Sequence, residues 1–219
     1  MSLVLKVNLG QPEDKPMVLA AEVIQAGGVI VYPTETLYGI GANAWDGAAI
    51  AKVRAVKKRE GLKPILVIIK DEKQLAALTN EITDEARMLI AKFWPGPLTL
   101  IFRATKEVPD LLSRGTGTIG VRIPSSPLCH RLLSLCGCPL TSTSANISGG
   151  RPLHSVDEIK RAIPRGVDLF LDGGELPQTL PSTVIDVTVS PPRIIRRGTV
   201  PVPSLLEIIP TIAEEVLKQ

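Results

Sequence analysis

The sequence predicts one α/β domain, built on a twisted β-sheet of mixed direction that is flanked by helices. Short apolar strands, such as Val29 to Tyr32 and Ile65 to Ile69, alternate with helical patterns in the first half of the chain. Two later strands, Thr183 to Val187 and Arg193 to Arg196, follow each other around Pro191-Pro192 as a hairpin. Alternation favours parallel strands and a hairpin adds antiparallel ones, which predicts a mixed sheet. The sequence has no internal repeat, and its 219 residues suffice for a substantial core.

Helices are predicted where start and stop signals frame a helical pattern. Asp14 with Pro16 begins a helix that Gly27-Gly28 ends, and Asp46 caps one that runs to about Lys58. The other helices are predicted over Glu72 to Leu78, Thr83 to Phe93 and Leu128 to Leu135, and from the capping-box pattern Ser155-Val156-Asp157-Glu158 onward.

The remaining strands and connections follow from apolar runs and from Gly or Pro. Strands are predicted over Leu3 to Leu9, Leu98 to Phe102, Thr118 to Ile123 and Val167 to Leu171. Trp94-Pro95-Gly96-Pro97 is interpreted as an aromatic anchor with a rigid bend, and Glu107 to Gly117 as a mobile loop. Residues 1–200 are predicted to form the domain and 201–219 a tail, helical from Ser204 to Leu217 apart from Pro210.

Composition argues against several classes of protein. Aromatic residues make up 3% of the chain, too few for stacking platforms that bind single-stranded nucleic acid, and aliphatic side chains must fill the core. Three cysteines without a C-x-x-C pair, and two histidines, predict reduced thiols and no metal site made by protein side chains. Since no segment is suited to span a bilayer or to serve as a signal peptide, we expect a soluble cytoplasmic protein without a membrane partner.

One polar stretch, Pro139 to Gly150, combines five hydroxyl side chains, one amide and two glycines. Hydroxyl and backbone N–H groups in such a turn suit an anionic ligand. A Ser/Thr-rich surface loop is the alternative, and the stretch alone leaves both open. No G-x-x-x-x-G-K-[ST] loop and no G-x-G-x-x-G after a strand is present, so scattered Lys, Arg and hydroxyl groups must hold any nucleotide.

Basic residues are clustered although the net charge is only +3. One cluster consists of Arg54, Lys57, Lys58, Arg59 and Lys63, and a second of Arg193, Arg196 and Arg197. Phosphate binding is the functional interpretation. A solvated face, or a basic helix end that complements the helix dipole, is the structural one.

Seven motifs together resemble the YrdC-like family of threonylcarbamoyl-AMP synthases. They are Tyr32 to Gly39, the K-x-R of Lys57 and Arg59, Trp94 to Thr99, Val121 to Pro124, Thr143 to Gly149, Ser182 to Val184 and Ile195 to Gly198. The resemblance covers the chain from about Val29 to Gly198. It implies a twisted mixed α/β sheet around a large basic cavity.

The resemblance also implies an activity, that of a nucleotidyltransferase. Such an enzyme joins L-threonine, bicarbonate and ATP into threonylcarbamoyl-AMP and pyrophosphate. Mg²⁺ would arrive with ATP, and no tightly bound organic cofactor is implied. Downstream proteins would transfer the threonylcarbamoyl group to tRNA, and direct tRNA or RNA binding by this chain is left open.

Site residues carried over from the family divide into three groups. The threonine contacts fall on Thr36, Arg122, Ser142 and Ser182. The nucleotide contacts fall on Arg59, Lys63, Thr118, Ser144, the backbone around Pro152, and Arg196. The signature assigned to catalysis is Lys57, Arg59, Ser144 and Asn146. A planar guanidinium such as that of Arg122 suits a carboxylate.

Two positions depart from the family pattern. Glu60 stands where proline is usual, and Ile68 where many members have a histidine that contacts threonine. Glu35 is interpreted as a residue that stabilises its turn, with binding of Mg²⁺ or water as the alternative. His130 is expected on a helix face and His154 in a loop rather than as catalytic bases.

Two rival functions stay open at this point. The basic cavity could bind double-stranded RNA or tRNA without catalysis. Alternatively, the chain could make a carbamoyl-adenylate from carbamoyl phosphate, as YrdC-like domains of larger maturation proteins do. Those longer proteins carry zinc-finger-like cysteine motifs, which this sequence lacks.

Overall fold

The computed structural model describes residues 2–58 and 64–214. These residues form twelve strands and eight helices, and the strands make two mixed sheets of five and seven strands. The predicted α/β class and the mixed strand direction are confirmed. The single sheet of the prediction is divided into two.

The five-stranded sheet has the order β1 (Leu3–Lys6), β9 (Leu169–Asp172), β2 (Ile30–Pro33), β3 (Tyr38–Gly41) and β8 (Thr143–Ser144). β9 runs parallel to β1 and β2, whereas β3 is antiparallel to both β2 and β8. Every residue of β2 and β3 is buried. The end of β2 therefore leads directly from the core into the turn that follows it.

The seven-stranded sheet has the order β12 (Ala213–Glu214), β11 (Arg193–Arg196), β10 (Thr183–Asp186), β5 (Leu98–Arg103), β6 (Thr118–Arg122), β4 (Val67–Ile68) and β7 (Leu140–Thr141). β10 and β11 form the predicted antiparallel hairpin, and β10 runs parallel to β5. β6 is antiparallel to β5 and parallel to β4.

Within residues 2–58 and 64–214, eight helices pack with the sheets. They are α1 (Asp14–Gln25), α2 (Gly47–Val56), α3 (Glu72–Leu78), α4 (Asp84–Phe93), α5 (Asp110–Ser113), α6 (Pro127–Cys136), α7 (Val156–Ala162) and α8 (Val202–Leu206). The side chains of Asp46, Thr83 and Ser155 accept hydrogen bonds from first-turn N–H groups of α2, α4 and α7, so these predicted helix starts are confirmed.

Two apolar clusters fill the interior, and strand alternation assigns each face of β2 to one of them. Ile30 and Tyr32 belong to the cluster that contains α1 and α6. Val31 belongs to the larger cluster that contains β5, β6 and β10. Successive strand residues point to opposite faces, so β2 is covered on both sides. The core is mainly aliphatic, as the composition predicted.

The Trp94-Pro95-Gly96-Pro97 segment connects α4 to β5. The Trp94 indole Nε1–H donates to the Leu98 carbonyl at 2.7 Å, and its ring packs edge-on against Phe102 at a centroid distance of 6.4 Å. These contacts agree with the predicted structural role of an anchor and a bend.

The predicted helical tail is wrong in its elements. As far as residue 214, the tail forms α8, which ends at Leu206, and then β12, which pairs in parallel with β11. Ile209 and Ile212 are buried, and the Ala213 N–H donates to the Pro192 carbonyl, so burial and sheet pairing outweigh helix propensity here. The division into 1–200 and 201–219 stays a prediction, and residues 215–219 lie outside the described part.

Besides β12, four short elements were not predicted. No strand was predicted at β3, β7 or β8, and α5 lies within the segment interpreted as a mobile loop. β7 and β8 have two residues each, and partners from distant parts of the chain define them.

Candidate functional site

A cavity of about 240 Å³ lies where strands of the two sheets converge. Its walls come from the turn after β2, from β4, β5, β6 and β11, and from the segments around β8 and before β10. The lining residues are Thr34, Thr36, Leu37, Tyr38, Gly39, Leu66, Val67, Ile68, Thr99, Arg122, Ser142, Thr143, Ser144, Asn146, Gly150, Pro152, Pro181, Ser182 and Arg196. Separate short segments of the chain thus meet in one hollow.

Arg122, at the end of β6, forms an ion pair with Glu35 in the turn after β2. The guanidinium Nη1 lies 2.7 Å from Glu35 Oε1, and the two side chains are 6% and 17% exposed. The other carboxylate oxygen, Glu35 Oε2, is buried without a hydrogen-bond partner among the described residues. Glu35 is therefore a counter-charge to Arg122, a role that neither sequence-based interpretation included.

A hydroxyl-centred turn presents Thr36 to the cavity. Thr34 Oγ1 accepts from the backbone N–H groups of Thr36 and Leu37, each at 3.2 Å, and lies 2.7 Å from the Leu37 carbonyl. The Thr34 and Thr36 hydroxyl oxygens are 3.1 Å apart, and both residues are buried. The predicted turn after β2 is thus held by its own threonine, which fixes the Thr36 hydroxyl in the wall.

On the opposite sheet, Arg196 and Thr99 hold Ser182. The Arg196 Nε and Nη2 donate to the Ser182 carbonyl at 3.2 and 2.8 Å, and Nη2 also lies 3.1 Å from Ser182 Oγ. Thr99 Oγ1 is 2.9 Å from the same hydroxyl. Arg196, which was predicted to bind the nucleotide, therefore contacts Ser182, which was predicted to bind threonine.

Lys57 lies behind the loop that follows β8. Its ammonium is buried and donates to the Ser144 carbonyl, to the Asn146 carbonyl at 2.8 Å, and to Asn146 Oδ1 at 3.2 Å. The Ser144 hydroxyl donates to Asn146 Oδ1 at 2.6 Å. The geometry thus makes Lys57 a positioning residue for Ser144 and Asn146, and does not favour the predicted neutralisation of phosphates by its charge.

The remaining residues predicted for the site differ in whether they line the cavity. Pro152 and Ser142 line the cavity, as does Ile68, which presents an apolar wall. Thr118, at the opposite end of β6 from Arg122, is not among the lining residues described. Arg59, Glu60 and Lys63 lie outside the described residues.

Two buried groups near the cavity, the Tyr32 hydroxyl and the Cys129 thiol, keep their protons at neutral pH. The Tyr32 hydroxyl donates to the Thr141 carbonyl at 3.2 Å, and burial raises the Tyr32 pKa above its usual range. Burial also raises the pKa of the Cys129 thiol to about 12. All three cysteines are free thiols, and the structure places neither His130, on α6, nor His154, in the loop before α7, among the cavity residues described.

Comparison with known proteins settles the family. The family model Sua5_yciO_yrdC, described as "Telomere recombination", matches residues 22–198. The chain belongs to the Sua5/YciO/YrdC family. This confirms the resemblance predicted from the motifs.

Two relatives and one solved structure illustrate the similarity within the Sua5/YciO/YrdC family. The threonylcarbamoyl-AMP synthase of Pyrococcus abyssi is 35% identical over 209 residues, which are 95% of this chain and 61% of that protein. A putative threonylcarbamoyl-AMP synthase of Methanocaldococcus jannaschii is 36% identical over 200 residues, 90% of this chain and 93% of the relative. The crystal structure of P. abyssi Sua5 complexed with L-threonine has a TM-score of 0.93 and 34% identity, over 98% of this chain and 62% of the other. This chain thus spans about three fifths of the P. abyssi protein.

Thr34, Glu35 and Thr99 are members or neighbours of the site that the resemblance did not assign to it. Thr34 and Glu35 belong to the motif Tyr32 to Gly39, and Thr99 ends the motif Trp94 to Thr99. The roles of Glu35 and Thr99 depend on partners that only the fold reveals, such as Arg122, 87 residues from Glu35.

Proposed function

We propose that this protein is a threonylcarbamoyl-AMP synthase, which forms threonylcarbamoyl-AMP and pyrophosphate from L-threonine, bicarbonate and ATP. One observation carries the proposal: Arg122, predicted for the amino acid, and Arg196, predicted for the nucleotide, line the same cavity. Family membership and the relatives named above add support. In a cavity of this kind two substrates can be held against each other.

The amino acid end of the site is formed around Arg122. Its buried guanidinium can receive the threonine carboxylate in charge-assisted hydrogen bonds, while Glu35 holds it in place. Thr36, Ser142 and Ser182 offer hydroxyl groups for the polar atoms of the amino acid. Ile68 and Leu37 supply an apolar wall on which the threonine methyl group can pack.

The nucleotide end is formed by Ser144, Pro152 and Arg196. The Ser144 hydroxyl and the Arg196 guanidinium can donate to phosphate oxygens, and the backbone at Pro152 borders the place for the base. Arg59 and Lys63 are proposed as further phosphate contacts on the resemblance alone. ATP would enter as its Mg²⁺ complex, in which the ion would offset part of the negative charge of the phosphates, and we assign no protein side chain to the ion.

The proposed chemistry depends on placement and charge rather than on a protein nucleophile. The threonine amine first forms a bond to the carbon of bicarbonate, a C–O bond of the bicarbonate breaks, and water leaves with a proton from the amine, which gives an N-carboxylate (carbamate). A carbamate oxygen then forms a bond to the α-phosphorus of ATP, and the bond from that phosphorus to the pyrophosphate oxygen breaks. The protein holds both reactants and stabilises the charge that develops on the leaving group. Removal of one well-placed donor raises such a barrier by roughly 3 kcal/mol.

We further propose that the product is used by downstream proteins for threonylcarbamoyl modification of tRNA, in the cytoplasm. Among the described residues no helix is long and apolar enough to cross a membrane.

The direct test incubates the purified chain with MgATP, L-threonine and bicarbonate. We expect pyrophosphate and an AMP-linked threonine adduct, both of which require threonine. Reactions without bicarbonate and reactions with L-serine serve as matched controls. Absence of a threonine-dependent product, together with tight binding of duplex RNA, would favour the rival reading as an RNA-binding module. A product formed from carbamoyl phosphate in place of threonine would favour the carbamoyl-adenylate alternative.

A further inference from the structure

Thr99, on β5, lies in the cavity wall and is only 1% exposed. Its hydroxyl oxygen is 2.9 Å from the Ser182 hydroxyl oxygen, and the Thr99 hydroxyl has no other hydrogen-bond partner among the described residues. A hydroxyl group carries one proton, and a buried donor without an acceptor is costly. The Thr99 proton is therefore donated to Ser182 Oγ.

Ser182 Oγ accepts a second hydrogen bond, from Arg196. Nη2 of the guanidinium carries two N–H groups, and it lies 2.8 Å from the Ser182 carbonyl oxygen and 3.1 Å from Oγ. With Thr99 and Arg196 as donors, both lone pairs of the Ser182 hydroxyl are used. Since Ser182 lines the cavity, its own proton is what remains for a ligand. Ser182 can thus bind an oxygen atom of a ligand but cannot accept from an N–H group.

Thr36, in the turn after β2, keeps the capacity that Ser182 lacks. The Thr34 hydroxyl oxygen lies 2.7 Å from the Leu37 carbonyl oxygen, which can only accept, so the Thr34 proton is donated there. Thr34 therefore gives no proton to the Thr36 hydroxyl, although the two oxygens are 3.1 Å apart. The lone pairs of Thr36 Oγ1 stay available to the amine of an amino acid.

Strand register places Thr99 between Arg122 and Ser182. β5 and β6 pair antiparallel with Leu100 opposite Val121, and continuing this register by one residue puts Thr99 opposite Arg122. β10, which begins directly after Ser182, pairs with the other edge of β5. An amino acid that lies across Thr99 can therefore contact both Arg122 and Ser182.

We propose that Thr99 is a positioning residue for selection of the amino acid: it holds Ser182 as a hydrogen-bond donor, and Ser182 donates to the β-hydroxyl oxygen of threonine. The inference rests on the proposed function and deepens it by assigning atoms of the substrate. With the carboxylate at Arg122 and the amine at Thr36, the β-hydroxyl is the oxygen left for Ser182. Valine has a methyl group in place of that hydroxyl and would leave the Ser182 proton without an acceptor, so threonine is preferred.

The test measures binding of L-threonine, L-valine and MgATP to the full chain by calorimetry. Thr99→Val replaces the hydroxyl with a methyl group of similar size and frees a lone pair of Ser182, so the Ser182 proton is no longer directed to the ligand. Thr99→Ser keeps the hydroxyl. Thr183→Val is the matched control: the Thr183 hydroxyl is buried next to Ser182 in the chain but donates to the Val200 carbonyl at 2.9 Å, and Thr183 is not among the lining residues described.

We expect the parent to bind threonine more tightly than valine. Thr99→Val should weaken threonine binding by about tenfold, while valine and MgATP binding stay within about twofold. Thr99→Ser should bind threonine nearly as the parent does. Thr183→Val should lower thermal stability without changing the ratio of threonine to valine affinity. A merely structural role of Thr99 would weaken all three ligands alike, and the ratio distinguishes the two roles.

Three results would overturn the role of Thr99. They are a parent that binds valine as well as threonine, a Thr99→Val variant with parental threonine affinity or with equal losses for the two amino acids, and a Thr99→Ser variant as weak as Thr99→Val.

These outcomes are separable from those of the proposed function. A threonine preference that depends on Thr99, in a chain that forms no AMP-linked adduct, would support the assignment and reject the synthase. Adduct formation from threonine, with an unchanged ratio of threonine to valine affinity in Thr99→Val, would reject the assignment alone.

Discussion

At the scale of single residues, the ion pair of Arg122 with Glu35 joins stability to substrate binding. Both side chains are largely buried, and one carboxylate oxygen already lacks a partner among the described residues. Removal of the guanidinium would leave a buried carboxylate without its counter-charge. A single substitution at Arg122 therefore changes two properties at once, and a second substitution is needed to separate them.

We predict that Arg122→Ala lowers the free energy of unfolding by roughly 3 kcal/mol and weakens threonine binding far more than ATP binding. The double variant Arg122→Ala/Glu35→Ala should recover most of the stability, because neither charge is then left alone, but not the threonine affinity. Urea unfolding and calorimetric titration of each ligand measure the two effects. Equal losses for threonine and ATP would show that Arg122 is placed wrongly in the proposed site.

Lys57 supports the loop after β8, a role that the K-x-R motif does not indicate. The K-x-R pattern suggested a phosphate contact, yet the ammonium donates to three oxygens of the Ser144–Asn146 segment. The interaction joins the end of α2 to the loop after β8, which is 87 residues away. A sequence pattern identifies such a residue but not its partners.

We predict that Lys57→Met, which keeps the length of the side chain, destabilises the protein by roughly 3 kcal/mol, since it leaves buried carbonyl oxygens without a donor. ATP binding should weaken as the loop loses its support. Lys52→Met is the control on the same helix: its ammonium donates to the Gly27 carbonyl at an exposed site. Lys57→Met with parental stability and weaker ATP binding alone would instead support a direct phosphate contact.

At the scale of elements, the helices could be predicted well and the shortest strands could not. α1 and α3 match their predicted bounds, because capping residues, Gly and Pro act locally in the sequence. β3, β7 and β8 are defined by their pairing with distant strands, which no local pattern contains. The helix predicted for the tail was wrong for a related reason, since β12 is defined by its parallel pairing with β11.

The site was likewise predictable only in part. Arg122, Ser142, Ser182 and Arg196 came from motif resemblance and do line one cavity. The counter-charge of Glu35 and the hydroxyl of Thr99 act on residues that are 87 and 83 positions away in the chain. Such contacts depend on the packing of the sheets and not on sequence spacing.

At Gly198 the backbone packs closely against the segment that carries Ser182. A Cβ there would lie 2.2 Å from the Pro181 carbonyl oxygen and 2.5 Å from the Ser182 carbonyl carbon. These are backbone atoms, which cannot turn away as a flexible side chain can. A side chain at this position must therefore displace the segment that carries Ser182.

We predict that Gly198→Ala destabilises the protein by about 1–3 kcal/mol and lowers affinity for both threonine and ATP, because Ser182 contacts Arg196. Gly47→Ala is the control: it lies in the first turn of α2, where a Cβ would meet only Leu111 Cδ1, at 3.9 Å. That variant should be as stable as the parent or more so. Parental ligand affinities in Gly198→Ala would contradict the role given to this close approach.

At the scale of the whole molecule, both sheets contribute residues to the wall of the cavity. The five-stranded sheet contributes the turn of Thr34 to Thr36 and the residues of β3 and β8, and the seven-stranded sheet contributes Thr99, Arg122 and Arg196. A change that loosens one sheet against the other therefore affects the cavity as well as the core. The thiols of Cys129 and Cys136 on α6 belong to the apolar cluster that also contains residues of α1, β2 and β9, so their titration with pH probes the packing of that cluster.

The pKa values of Cys129 and Cys136 predict loss of stability at alkaline pH. Burial raises both from 9.0 to about 12. Between these values the unfolded chain has lost the thiol protons and the native chain keeps them, so stability decreases as the pH rises. The effect is absent below about pH 9 and amounts to about 1.4 kcal/mol per pH unit for each thiol within that range. Urea unfolding measured from pH 8 upward tests this, with Cys129→Ala/Cys136→Ala as the comparison. The double variant should show a shallower loss with pH than the parent, and parallel curves for the two proteins would mean that the thiols are not protonated and buried in the native state as described.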